Sequence, residues 1–565
     1  MKKQLTDQQR RAAESPAPLL TIVAGPGSGK TTTLVERVSY KLDMGTQPSD
    51  CALITFTNAA ANEMAHRLSQ HYGGATVKLG YCGTLHGFML RLLAKHGESI
   101  GLHGNITVMD ENQSKEMLTD IAKENRCRAS ITSLREQVED VAREWMVIRE
   151  HISPTVERLV AIEYRRRMLA EATLDYDAVL HFGARLLEST PVSFTDLFVD
   201  EFQDSGEWDA LIYNILRNKH GKIYKTFVGD VDQSIYGFRG GSPNYMMSIT
   251  RRKDCQTILL EDNFRCGQEI CRVANNLIEC NKNRIKKRTN SFDGTDSATV
   301  ITNEFFNSIT ELDFIAKRLL AIGPETWNEC AVLLRSNFLV NETSDFLVAH
   351  GISVRAREGT RFPEDFAKCR RFIALLANPQ NDRMAYWWLK ETRGERTATE
   401  IKLASLANYT SINDGYLKIP EGISLESLPA GLTRGKFSIE CISLVEDVIH
   451  SLPEDSTIAE LLVALNVTAF RHQEAGNGVT ITTLHSAKGR EWDSVFLPAF
   501  EQQVIPGERK SVDLEEERRL AFVGITRARK CLWVSWARER RLNEWQKQPQ
   551  EVTVSQFVKE MESGC

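Results

Sequence analysis

No apolar run in this chain approaches the ~18 residues that a membrane-spanning helix needs, which argues against an α-helical membrane protein. The N-terminus, MKKQLTDQQRR, has basic residues but no apolar stretch behind them, so no signal peptide is expected and the cytoplasm is the default compartment. The 12 cysteines form no CxxC pair. Cys266, Cys271 and Cys280 lie close in sequence, but no matching His/Cys cluster accompanies them, and reduced structural thiols are expected rather than a metal or iron–sulfur site. Internal repeats, heptad arrays and low-complexity segments are missing too. There is no large excess of one charge: 70 Lys and Arg against 75 Asp and Glu leave −5. That excludes a histone-like coat of positive charge, but it leaves open a groove binder, for which only local charge matters.

What is present is an ordinary globular composition, 42% hydrophobic and 26% charged, in 565 residues, enough for two to four domains. Strand-like runs recur at Leu19–Val23, Ala52–Phe56, Leu197–Val199, Thr226–Val228, Ala331–Leu334, Val479–Thr483, Val495–Leu497 and Leu532–Val534, with helical stretches between them. This alternation predicts an α/β fold with parallel sheets, whose ligands bind beyond the C-terminal ends of strands. Two stretches break the alternation. Residues ~90 to 190 read as mainly helical, with amphipathic segments at Ser133–Glu150 and Thr155–Ala172. Residues ~380 to 473 are also largely helical, with loop signals at Ser411–Tyr416 and Pro420–Pro429. Both look like insertions into α/β domains. The basic clusters Arg165–Arg167, Arg251–Lys253 and Lys282–Arg288 read as solvated faces when taken alone.

The segment Ala24-Gly25-Pro26-Gly27-Ser28-Gly29-Lys30-Thr31 follows a strand-like run and opens a helix-like stretch, Thr32–Tyr40. A phosphate-binding loop needs this context: glycines let backbone N–H groups curl around phosphates, and the helix N-terminus adds positive potential. Lys30 would reach the β and γ phosphates of a nucleotide, and the Thr31 hydroxyl would hold Mg²⁺. Leu197–Asp204, LFVDEFQD, ends a strand in two carboxylates. Asp200 suits the metal and Glu201 the general base for a water. In Phe227–Gly241, FVGDVDQSIYGFRGG, Gln233 can bond a γ-phosphate or its water. Tyr236 and Phe238 can offer flat faces to bases beside Arg239, the alternative being two core aromatics. Periodicity alone does not single out Arg265 in LEDNFRC, Arg527 in LEEERRLAFVGITRARK or Glu491 in TLHSAKGREWD.

These segments, with LTDQQRRAA, ITFTNAAANEM, GTLHGF and LDYDAVL, occur in an order that resembles UvrD/Rep/PcrA-like superfamily 1A DNA helicases over most of the chain. The resemblance implies two RecA-like P-loop domains facing each other across ATP: residues 1–88 with 190–260, and residues 261–380 with 474–565. Residues 89–189 and 381–473 would be the helical insertions. It further implies that Gln9 contacts adenine, Phe264 stacks on it and Glu491 holds the ribose. Gln233, Arg265 and Arg527 would sense and stabilise the γ-phosphate, and Phe56, His86, Tyr236, Phe238 and Arg239 would line single-stranded DNA. The implied activity is ATP-dependent 3′→5′ movement on single-stranded or tailed duplex DNA. The alternative is a DNA-stimulated regulatory ATPase working with a separate nuclease or a repair or defence protein. Three departures stand out: Thr32 replaces an arginine that stacks on adenine, Phe238 replaces a tryptophan, and the second insertion is roughly half the usual size with almost no C-terminal tail.

Overall fold

The computed structural model describes residues 5–146, 155–216, 221, 223–237, 240–292, 298–356, 363–378, 381–393, 424–434, 436–453, 455–468, 477–508 and 512–564. Two parallel sheets organise it. The first has six strands in the order Tyr81–Thr84, Cys51–Thr55, Asp196–Val199, Tyr224–Gly229, Leu19–Ala24, Gln256–Leu260. Its central strands are short and almost wholly buried, as parallel strands covered on both faces must be. Ile22 sits opposite Val228 on one side and Ile258 on the other. Three neighbouring strands therefore end at the same edge, and they release Gly25–Lys30, Asp200–Glu201 and Asp230–Gln233 side by side.

The second sheet runs Thr299–Asn307, Ala528–Arg540, Trp492–Leu497, Cys330–Leu334, Val479–Thr483, Val354–Ala356, and Gln550–Glu551 adds one antiparallel pairing to Ala528–Arg540. All eight expected strands are present, with ends shifted by a few residues. The helix after Leu19–Ala24 begins at Lys30 rather than Thr32, because Gly29 at φ 76° turns the chain into it. The expected Ala52–Phe56 strand stops at Thr55, which leaves Phe56 in the following turn.

Residues 89–189 hold the helices Glu111–Glu124, Ile131–Met146, Val156–Ala170 and Tyr176–Leu187. The later helical stretch contains Asp382–Arg393, Leu428–Arg434, Ile439–Ser451 and Ile458–Thr468; the loop signal at Ser411–Tyr416 lies outside the described residues, and the second signal runs into the helix at Leu428. These two helical regions share one hydrophobic core: Trp387, Leu444 and Leu461 belong to the same cluster as Met89, Met117, Tyr164 and Phe182. Polar bonds close its rim. Arg370 donates to Asp110 Oδ2 at 3.0 Å and to Val108 O at 3.0 Å, and Arg91 Nε meets Glu460 at 2.8 Å.

Two expectations on side chains are corrected. Arg165 is buried against His181 Nδ1 at 3.0 Å, not solvated, because its stem fills the helical core. Ten described cysteines are free, but Cys280 is disulfide-bonded, against the expectation of reduced thiols throughout.

Behind the second sheet, Arg540 is shared by two fully buried carboxylates, Glu311 and Glu501. Burial pushes the Glu501 carboxyl up to about 7, opposed by Arg540 and reinforced by Glu311. A carboxyl raised on folding binds more protons in the folded than in the unfolded state, so stability falls as pH climbs from its ordinary 4.5 to about 7. Glu501→Gln should flatten this dependence and raise the thermal midpoint at pH 8, read by thermal unfolding across that range.

Candidate functional site

The loop Gly25–Lys30 is held open by bonds that its own residues dictate. Gly25 N donates to Leu260 O at 3.1 Å, and Ser28 Oγ donates to Gly25 O at 2.7 Å. Asn263 Nδ2 donates to Pro26 O at 2.6 Å, and Phe264 N donates to Gly27 O at 2.9 Å. Gly27 lies at φ 65°, and a Cβ there would stand 2.8 Å from Arg265 Cβ. Ala24 ends the preceding strand, buried, and Thr31 and Thr32 follow Lys30 in the first turn of the helix, half-buried. The loop thus leads into a helix N-terminus, whose first backbone N–H groups suit an anion.

Lys30 Nζ lies 3.1 Å from Glu201 Oε2. Burial acts to lower the Lys30 pKa, but Glu201, Asp200 and Asp230 outweigh it and hold the ammonium above its ordinary value. Burial acts to raise Glu201, and Lys30 and Lys488 bring it down to about 2, so it is an anion held by its cation partners. Glu201 sits at φ 52°, a left-handed conformation that costs a non-glycine residue about 1–3 kcal/mol and aims its carboxylate back at the cleft. Asp200 is pushed up to about 7 by burial and by Glu201, and its Oδ1 is buried with no hydrogen-bond partner. An orphaned carboxylate oxygen beside the loop fits a divalent cation whose remaining ligands are phosphate and water.

Gln233 Nε2 donates to Asp230 Oδ2 at 2.6 Å, and its Oε1 accepts from Arg527 Nη2 at 3.3 Å. Arg527 is buried, also bonded to Val523 O and Arg490 O, and burial with Arg265 alongside lowers it to about 9. Arg265 pairs with Glu491 and donates to Thr526 O at 3.2 Å; Glu491 also meets Arg529 at 3.3 Å. Gln9 Nε2 donates to Ser28 O at 3.0 Å, which places it on the phosphate loop itself. Phe264 is 41% exposed and its ring lies 4.6 Å from Phe292.

On the nucleic-acid side the structure brings Phe56 and Tyr236 together, stacked at 5.6 Å with 12° between planes, with Lys488 Nζ 5.0 Å from the Tyr236 ring. Phe56 is 38% exposed. His86 lies apart from them, stacked on Tyr176 at 3.8 Å, and burial with His181 nearby lowers it to about 3, so it is a neutral imidazole. Phe238 and Arg239 lie outside the described residues.

Residues 5–254 match the UvrD/REP helicase N-terminal domain, and residues 258–401 and 388–539 match the UvrD-like helicase C-terminal domain. The chain belongs to the UvrD-like helicase family. It is 26% identical to the ATP-dependent DNA helicase PcrA of Staphylococcus epidermidis, over 96% of this chain and 84% of that protein. It is 27% identical to DNA helicase II of Escherichia coli, over 95% of this chain and 85% of that protein. It is likewise 27% identical to PcrA of Bacillus subtilis, over 95% of this chain and 83% of that protein.

Sequence reasoning missed several residues of this helicase-family site. Lys488, inside TLHSAKGREWD, is bonded to Asp204 and to Gln233 O at 2.9 Å. Asn263, one residue before Phe264, buttresses the loop and caps Arg265 N at 2.7 Å. Phe292 had no signal, since only the tertiary fold sets it beside Phe264. The basic segment Lys282–Arg288 is a solvated face only in part: Lys282, Lys286 and Arg288 are exposed, but the Lys287 and Arg284 side chains are buried in ion pairs with Asp230 and Asp232. The carboxylates behind Gln233 draw them in.

Gly27→Ala must force a left-handed alanine, at about 1–2 kcal/mol, against Arg265. It should weaken binding of a fluorescent ATP analogue by about tenfold or more, measured by titration.

Proposed function

We propose that this protein is an ATP-dependent DNA helicase or translocase that moves 3′→5′ along single-stranded DNA. One observation carries the reading. Lys30, Asp200, Glu201, Gln233, Arg265 and Arg527 converge where the edges of the two sheets meet, with Gln233 of the first part bonded to Arg527 of the second. We assign the two parts to RecA-like domains at residues 1–88 with 190–260 and 261–380 with 474–565, with insertions at 89–189 and 381–473.

In this reading ATP lies in the cleft with its phosphates on the loop, and the adenine sits by Gln9 and against the exposed face of Phe264, which Phe292 backs. Thr31 and Asp200 would hold Mg²⁺, which neutralises charge on the phosphates. Lys30 leaves Glu201 for the β and γ phosphates. Glu201, freed of its partner, takes a proton from the attacking water, which Gln233 orients. Arg265 and Arg527 spread the charge that develops on the γ-phosphoryl group. Arg265 must give up Glu491 to do so, which leaves that carboxylate for the ribose.

Phe56 and Tyr236 suit base stacking, which is indifferent to sequence and worth ~1–3 kcal/mol per base. Tyr236 lies three residues from Gln233 on one short loop. Closing the cleft on ATP therefore shifts the grip on the strand, and hydrolysis releases it. The alignment with PcrA of Staphylococcus epidermidis spans 627 positions against 565 residues here, so gaps fall in this chain along the match. No described helix is long and apolar enough to cross a membrane.

Steady-state ATPase with and without single-stranded DNA tests the reading. Lys30→Ala should abolish the stimulated rate, by about a hundredfold or more. A 3′-tailed duplex should be unwound in preference to a 5′-tailed one; equal or reversed preference would overturn the polarity. Strong stimulation without unwinding of either substrate would leave a translocase.

A further inference from the structure

The buried cations in Lys282–Arg288 have no part in the chemistry described so far. Lys287 is 2% exposed. Its Nζ donates to Asp230 Oδ1 at 2.6 Å and also to Asp232, while Arg284 holds Asp232 through Nε at 3.0 Å and Nη2 at 2.6 Å. Asp230 Oδ1 also accepts from Asp232 N at 3.0 Å. That leaves Oδ2 for Gln233 Nε2, at 2.6 Å. A carboxylate is an acceptor only, so the NH₂ end of the Gln233 amide must face Asp230 and its oxygen must face Arg527.

The segment that carries the two cations comes from beyond the first sheet. It follows the helix Gln268–Ile278 and is fastened there by Asn275, which exchanges two bonds with Thr289, at 2.9 and 3.0 Å. It also touches the phosphate loop. A Cβ on Gly25 would stand 3.6 Å from Thr289 Oγ1 and 3.9 Å from Lys287 Cε. One short stretch is thus wedged between the loop that would hold the phosphates and the loop that carries Gln233.

We propose that Lys287, supported by Arg284, is a positioning residue for ATP hydrolysis: it fixes Asp230, and Asp230 fixes which way round the Gln233 amide meets the γ-phosphate and its water. The proposal rests on the reading of Gln233 given above. Without Lys287, Asp230 has no cation to hold its rotamer, and the Gln233 amide is free to turn over. Lys287 is buried behind Asp230 and Asp232, so its loss acts on turnover rather than on ATP binding.

The test uses the full chain at saturating single-stranded DNA and measures kcat and KM for ATP. Lys287→Met should lower kcat by about tenfold or more, as a small misplacement of a reacting group does, and leave KM within about twofold. Lys287→Arg should recover most of the loss. In a Gln233→Ala background, Lys287→Met should cost less than about twofold more, because nothing is left to position. A full additional loss in that background, or an unchanged kcat in the single variant, overturns the positioning role alone. An unchanged kcat in Gln233→Ala overturns the reading of Gln233 and the proposal with it. Circular dichroism and binding of a labelled oligonucleotide check folding. If Lys287→Met does not fold, Arg284→Lys goes through the same cycle: a loss of about threefold that vanishes on Gln233→Ala supports the proposal, and an additive loss overturns it.

Discussion

Five carboxylates crowd the edge of the first sheet, and the cleft depends on offsetting their mutual repulsion. Asp200, Glu201, Asp204, Asp230 and Asp232 leave neighbouring strands within a few residues of each other. Like charges at this spacing would protonate or push the loops open. Lys30 offsets Glu201 from within the first part of the chain. The other cations arrive from later in sequence: Lys488 on Asp204, Lys287 on Asp230 and Asp232, and Arg284 on Asp232. The second part therefore completes the electrostatics of the first. A nucleotide triphosphate brings further negative charge to the same place, so its arrival must redistribute these cations. Lys30 is the one most directly placed to change partners.

In the proposed mechanism, the loop after Tyr224–Gly229 is where that redistribution becomes movement. Later residues grip it along its length. Arg527 meets Gln233 Oε1, Lys488 meets Gln233 O, Arg519 Nε donates to Ser234 O at 2.8 Å, and Glu516 accepts from Gly237 N at 2.8 Å. Tyr236, in the middle, faces Phe56. A shift of the second sheet relative to the first cannot leave Tyr236 in place without breaking several of these bonds. The chemistry at Gln233 and the stacking face at Tyr236 are thus tied by a few residues of backbone.

The helical regions obey a different constraint. Their amphipathic helices cannot each bury an apolar face alone, and the solution is a common core in which Trp387, Leu444 and Leu461 pack with Met117, Tyr164 and Phe182. Arg370 and Arg91 seal that core across long sequence separations, about 260 and 369 residues. The later helical region packs on the earlier one rather than on a core of its own.

The sequence by itself determined the elements and the reactive edge. Short aliphatic runs bounded by turn signals read as buried parallel strands, and the glycines and Lys30 after Leu19–Ala24 read as a phosphate cradle, because both rest on local sterics and patterning. Ordered motifs further named Glu201, Gln233, Arg265 and Arg527. Tertiary structure decided what long-range charge and packing control. Lys282–Arg288 reads as a solvated basic run, yet Asp230 and Asp232 draw Lys287 and Arg284 inside. His86 is expected along single-stranded DNA, yet burial, with His181 nearby, keeps it neutral. Phe292 carries no motif, yet it completes the exposed aromatic pair with Phe264. An ion pair or a ring contact depends on distance in space, and a single chain lists its residues without those distances.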